Sequence, residues 1–190
     1  IKQLNFYLKY FILIREWLKE SQNDVPEYID EIIFYLGQAY SLICQNIKKN
    51  ILFNGNHETN NSDFDNYLKR LGYKFKNENN EVGGYAILKN KKNALIMDIG
   101  PCPEKKFSTN YQAGALSFEI ISGDKKVICN SGYFQNYKHQ LNDLSKSTAT
   151  HSTLIIDNRS SCKLRKQGNK HSKIEQGLKI TNKSIVCQKN

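Results

Sequence analysis

Four histidines (His57, His139, His151 and His171) and five cysteines (Cys44, Cys102, Cys129, Cys162 and Cys187) are spread along the 190 residues of this chain. Histidine is the side chain that exchanges a proton near neutral pH, and a thiolate is a nucleophile and a soft metal ligand. The cysteines are odd in number, widely scattered and without a CxxC pair, which signals neither a disulfide framework nor a cysteine zinc site. His57, His139 and His171 stand in polar, loop-like surroundings and read as solvated. His151 differs, because it directly precedes the alternating run Ser152-Thr153-Leu154-Ile155-Ile156. There it either holds a strand end through a backbone hydrogen bond or presents its ring for chemistry.

Composition narrows the partners. The formal net charge is +10, which favours an acidic partner such as nucleic acid, an anionic membrane or an acidic polysaccharide. Only four of the 28 basic residues are arginine (Arg15, Arg70, Arg159 and Arg165), whereas base readout leans on bidentate arginine forks. Sequence-specific DNA binding is therefore disfavoured, and non-specific lysine contacts to nucleic acid rank behind other uses of the charge. Abundant Lys, Asn and Ile also follow from an AT-rich coding sequence. The greasiest run, Phe6 to Leu18, is broken by Lys9 and Arg15, well short of the roughly 18 apolar residues a membrane span needs.

The elements that would position any chemistry can be read from periodicity. Leu4, Leu8, Phe11, Ile14 and Leu18 recur at helical spacing. After a break at Ser21 to Pro26, with Asp24 as a cap and Pro26 in the first turn, Ile29, Ile32, Ile33, Leu36, Tyr40, Ile43 and Ile47 repeat the pattern. Residues 1–50 thus read as an antiparallel helical hairpin whose apolar faces call for further helices. Residues 51–82 read as linker and loop, with a short helical or strand-like patch at Phe64 to Leu71. From residue 83 to 190 short β-prone runs alternate with turns: Tyr85–Leu88, Ala94–Asp98, Ala115–Ile121, Lys126–Asn130, Ser152–Asp157, Ser172–Ile174, Leu178–Ile180 and Ser184–Gln188. Polar turns at Lys89–Asn93 and Ser122-Gly123-Asp124 predict hairpins, hence an antiparallel sandwich. The fold class expected is α+β: a short helical hairpin followed by an antiparallel β-sandwich. Both ends of the chain read as cut, so a leader sequence and further helices are expected outside it.

Four stretches of the β region carry a family resemblance: Gly84-Tyr85-Ala86-Ile87-Leu88, Leu95-Ile96-Met97-Asp98-Ile99-Gly100-Pro101, Ala113-Gly114-Ala115-Leu116-Ser117-Phe118-Glu119, and Asn130-Ser131-Gly132-Tyr133 followed by Thr148-Ala149-Thr150-His151-Ser152-Thr153-Leu154. In this order they resemble the C-terminal sheet domain of the heparinase II/III-like polysaccharide lyases, over roughly Leu52 to Cys162. The helices before them are similar to the end of that family's α/α-toroid. The resemblance implies a protein that cleaves acidic, uronate-containing polysaccharides by β-elimination at the seam of toroid and sheet, in the periplasm or cell envelope of a bacterium. Such chemistry needs donors to offset the uronate carboxylate, a base for the C5 proton and an acid for the leaving oxygen.

The resemblance also names site residues, and the sequence departs at several. Family histidines two residues apart match Asn110 and Gln112, amides that donate hydrogen bonds but cannot act as bases. The family's zinc positions match Gln112, Asn130 and His151, which retain one strong ligand, so no metal and no other cofactor is expected. A hydrogen-bonded polar cluster of the three is expected in its place. Candidate catalytic residues are accordingly Asn110, Gln112 and His151. Candidate substrate contacts are Lys146, where the family often carries arginine, with Tyr111 and Tyr133. Lys146 also reads as a plain surface lysine, Tyr133 as packing, and residues 110–112 as an ordinary loop. A non-catalytic carbohydrate-binding or structural β-module is the competing function.

Overall fold

The computed structural model describes residues 2–44, 51–56, 62–76, 79–166 and 172–179. Helix α1 (Lys2–Glu20) buries Leu8 and Ile12 completely, with Leu4, Phe11 and Leu18 packed around them. It ends where Gln22 takes a φ of 57° and the Asn23 N–H donates to the Leu18 carbonyl at 2.9 Å, a left-handed cap that satisfies an orphan carbonyl. Helix α2 (Glu27–Ile43) buries Ile29, Ile33 and Tyr40 and packs on α1 as the expected hairpin. Asp24 does not cap it: Pro26 occupies the capping position and no side chain bonds the first turn. The expected continuation of this helix to Ile47 lies outside the described residues.

The patch in the linker is helical. Helix α3 (Ser62–Arg70) places Asp63 and Asp65 in its first turn and Lys69 and Arg70 in its last, matching the helix dipole at both ends. Tyr40 donates to Asp65 at 2.6 Å and meets the Phe64 ring edge-on at 5.1 Å, tying α3 to α2. Gly37 makes the packing of the following loop possible, because a Cβ there would lie 2.1 Å from Phe75 Cδ1.

Five strands form an antiparallel sheet in sequence order: β1 (Glu81–Val82), β2 (Tyr85–Lys89), β3 (Asn93–Asp98), β4 (Phe118–Ser122) and β5 (Lys125–Ile128). Both predicted hairpins form, and Asn90 Oδ1 accepts from the Lys92 and Asn93 N–H groups in the first of them. The inner face carries Ile87, Ala94, Ile96 and Ile121, which join the helical residues in one apolar cluster. Lys89 fastens sheet to helix by donating to the Ser41 and Leu42 carbonyls at 2.5 and 3.1 Å, at the negative end of α2. Helix α4 (Gln140–Ser145) follows, then β6 (Lys163–Arg165) and β7 (Lys173–Gln176), a separate two-stranded antiparallel sheet. The chain is α+β, a helical hairpin followed by antiparallel sheet, as expected.

Individual strands differ from expectation. Residues 115–117 form a turn, with Leu116 at φ 59°, so the strand there begins at Phe118. Ser152–Asp157 is not a strand: Leu154 and Ile156 are 76% and 66% exposed, and Asp157 and Asn158 reverse the chain at φ 52° and 53°. Only the isolated bridge Ile156–Arg159 forms. Residues 178–179 are outside any strand, and the run Ser184–Gln188 lies outside the described residues.

Candidate functional site

The connection 99–117 between β3 and β4 carries Asn110, Tyr111 and Gln112, and the structure sends them to two different places. Asn110 is exposed on a cleft of about 590 Å³ that opens where the first turn of α1, the loop at Asn54, the β2–β3 pair and this connection meet. The rim is drawn tight by two glycines: Gly84 has φ +85°, and a Cβ on it would lie 2.9 Å from Gly100 Cα.

Inside the cleft, Tyr85 and Asp98 are direct register partners on β2 and β3, so their side chains share one face of the sheet. Asn54 joins them, its Nδ2 donating to Tyr85 Oη at 2.8 Å and to Asp98 Oδ2 at 3.2 Å. The Gly100 N–H donates to Asp98 Oδ1 at 3.2 Å. Burial pushes the Asp98 carboxyl up to about 6, against the opposing pull of these donors. Burial first, and the Asp98 charge second, push the Tyr85 phenol up to about 12. Lys106 stands on the rim, paired with Glu104 at 3.1 Å and 4.8 Å from the Phe107 ring centroid. Asn54, Tyr85 and Asp98 were hidden in the sequence, since only the register of the hairpin places positions 85 and 98 opposite each other.

The other candidate residues lie inside the fold. Gln112 is 1% exposed. Its Nε2 donates to the Gly132 and Ser145 carbonyls at 2.9 and 2.6 Å, and its Oε1 accepts from the Gly55 N–H at 3.1 Å. This carboxamide cross-links three segments, with both amide hydrogens committed and no exposed surface to offer a substrate. Lys146, read as a surface or substrate-facing lysine, is completely buried, and its Nζ donates to Thr109 O, Ser172 O and Ser172 Oγ at 2.7 to 3.1 Å. Burial brings its ammonium down to about 8. Tyr133 places its ring 5.7 Å from that ammonium, and its hydroxyl is buried. Tyr111 packs against Ala113, Cys162 and Ile174 with its hydroxyl 3.2 Å from Cys102 Sγ, although it also lines the cleft. His139 is not a free loop side chain: its Nδ1 accepts from the Leu141 N–H and caps α4. His57 and His171 lie outside the described residues.

His151 neither holds a strand end nor reaches the cleft. Both ring nitrogens are buried without a hydrogen-bond partner, and the ring lies against Gly114. Burial lowers its pKa to about 4, with the neighbouring Ser145 main chain offsetting part of that. Asn130 Oδ1 accepts from the Ser152 N–H at 3.0 Å. The three positions that match the family's zinc ligands therefore do not fit a zinc ion. The Gln112 amide is committed to backbone groups, the Asn130 oxygen to Ser152, and His151 alone offers a free ligand atom. The expected cluster of the three does not form: Gln112 and Asn130 each hold backbone groups, and the His151 ring bonds neither of them.

These environments set opposite pH dependences. Between pH 6.5 and about 4 the unfolded chain takes up a proton that folded His151 refuses, so stability falls on acidification by about 3 kcal/mol. Asp98, whose folded pKa lies above its ordinary 3.8, adds a comparable amount as pH falls through about 6. From pH 7 to pH 4 a His151→Gln variant is therefore expected to gain about 3 kcal/mol relative to wild type, because it lacks the buried imidazole. Urea unfolding at the two pH values measures this, and an identical pH response in both proteins would contradict it.

Comparison with known proteins bears on the family and the fold. Residues 77–188 match the family model described as Heparinase II/III-like, C-terminal. No curated protein matches the chain. Among solved structures, the heparan sulfate lyase HepC from Pedobacter heparinus shares 14% identity at a TM-score of 0.66, covering 87% of this chain and 31% of its own. A structure of heparinase III shares 15% identity at a TM-score of 0.57, covering 86% of this chain and 33% of its own. At such identities the likeness shows the fold, and the chain spans about a third of the length of these structures. With the helical hairpin, the antiparallel sheet and the matched family model all present, the chain belongs to the heparinase II/III-like family and carries its C-terminal domain.

Proposed function

We propose that this chain forms the sheet side of a cleft in a polysaccharide lyase-like protein that acts on acidic, uronate-containing polysaccharides by β-elimination. The observation that carries this is the cleft at the helix–sheet seam, which exposed Asn110 and Lys106 line together with Asp98 and Tyr85. Asn110 supplies an amide donor to the sugar carboxylate, and Lys106 supplies positive charge at the rim. Heparan sulfate, the substrate named for one structural neighbour, is the first polymer to try. The remaining toroid, with its own catalytic residues, belongs to the rest of the gene product in this reading. The periplasm or cell envelope is the compartment that suits such a polymer, and no cofactor enters the scheme.

The amide at Asn110 also favours a second reading, a carbohydrate-binding module without turnover, because an amide takes no proton near neutral pH. Affinity of the whole gene product for heparan sulfate and other polyuronates, measured against neutral dextran, tests the shared part of both readings. Retention of the acidic polymers is expected, weakened by salt and by Asn110→Ala, with none of dextran. Equal retention of dextran, or retention of nothing, would overturn the assignment of the cleft.

A further inference from the structure

The cleft contains an acid and a base in a geometry that does not depend on the missing histidine at Asn110. We infer that Asp98 and Tyr85 form the proton-transfer pair for elimination on this wall, Asp98 as general base and Tyr85 as general acid. The inference rests on the lyase reading above and deepens it.

Three observations support the pair. Tyr85 and Asp98 are opposite one another across β2 and β3, on the same face, and both line the cleft. Asn54 donates to both, holding the phenol oxygen and one carboxylate oxygen in fixed relation, while its own Oδ1 accepts from the Gln112 N–H at 3.3 Å. Gly84 and Gly100 let the chain just before β2 and just after β3 close on each other beside Asp98, since a Cβ on Gly84 would lie 2.9 Å from Gly100 Cα. The surroundings also drive the two groups apart: the carboxyl titrates at about 6 and the phenol at about 12, so at neutral pH one accepts a proton and the other holds one. The other titratable groups on the cleft are Tyr111, whose hydroxyl is turned to Cys102, and Lys106, paired with Glu104.

The step balances with these groups alone. An Asp98 oxygen takes the proton from C5 of the uronate, the C5–H electron pair becomes the C4=C5 double bond, and the C4–O bond breaks. The departing oxygen takes the Tyr85 hydroxyl proton, and the Asn54 N–H stabilises the phenolate. Solvent then removes the proton from Asp98 and returns one to Tyr85, so the net change is transfer of one proton from C5 to the leaving oxygen. Base and acid approach from one side of the ring, which makes the elimination syn.

The test compares the whole gene product with its Asp98→Asn and Tyr85→Phe variants on a polyuronate, following unsaturated product against pH. Asp98→Asn is expected to lower kcat by about 10²- to 10⁴-fold at little change in KM, and to abolish the acidic limb near pH 6. Tyr85→Phe, which keeps its ring against Phe53 at 5.4 Å, is expected to lower kcat by about 10²-fold. A purely structural role would lower the melting temperature and leave the acidic limb in place, and that result overturns the inference. An active wild type whose two variants keep kcat overturns this pair alone. A wild type inactive on every polyuronate overturns the pair together with the lyase reading. Should Asp98→Asn not fold, Tyr85→Phe decides by the same kcat criterion.

Discussion

A Glu119→Ala variant is expected to lose about 4 kcal/mol of folding stability, a large fraction of what a domain of this size holds. Glu119 lies on the inner face of β4, completely buried and opposite Ile96, where an unpaired carboxylate would be costly. It is tolerated because Oε1 accepts from the Leu52 and Asn130 N–H groups at 3.1 and 3.0 Å, while Oε2 stands 3.7 Å from the nearly buried Lys126 ammonium. Burial still pushes its carboxyl above the ordinary range. The side chain thereby attaches the segment that follows the helical hairpin, at Leu52, to the chain just beyond β5, at Asn130. Truncation leaves two buried N–H groups without an acceptor and a buried ammonium without its nearest anion. Glu119→Gln keeps one acceptor oxygen and is expected to cost about half as much. Urea midpoints of the three proteins measure the series, and a Glu119→Ala midpoint equal to wild type would show that the attachment contributes nothing.

The second large effect is expected at Gln112, where Gln112→Ala should cost about 3 to 5 kcal/mol. The loss is the sum of a cavity and three broken hydrogen bonds, which strand the Gly55 N–H and the Gly132 and Ser145 carbonyls in the interior. Gln112→Glu distinguishes this role from a ligand role. A carboxylate would improve a metal site, yet here it faces two carbonyl oxygens that need a donor, so it is expected to be as damaging as alanine. Thermal melts of both variants, with and without added zinc, check this. Wild-type-like melting of Gln112→Glu with zinc would refute the cross-link.

How much of this was legible follows from which interactions are local. The two long helices and the two hairpins were, because apolar spacing along α1 and α2 and the turn residues at Asn90–Asn93 and Gly123 act over a few residues. Ser152–Ile156 has the same alternation as a strand, but a strand also needs a partner. Instead Asn130 Oδ1 takes the Ser152 N–H, and the chain reverses at Asp157 and Asn158. Helix α3 was obscured by its Asn and Asp content, although Phe64, Tyr67 and Leu68 already marked an apolar face. Within the site, Asn110 came from family resemblance and does face the cleft. Gln112, Lys146 and His151 are polar in sequence and interior in structure, since their burial is set by backbone carbonyls and amides brought from distant segments. Asp98 was concealed by the opposite effect, a charged residue ending an apolar strand whose chemistry depends on the loop that covers it.

The most direct measurement is the rise of ultraviolet absorbance from unsaturated uronate when the whole gene product is incubated with a panel of uronate-containing polysaccharides. Product is expected from at least one of them, with a rate that falls in the Asp98→Asn variant. Tight binding of those polymers with no product from any of them would contradict elimination and leave the cleft a binding surface.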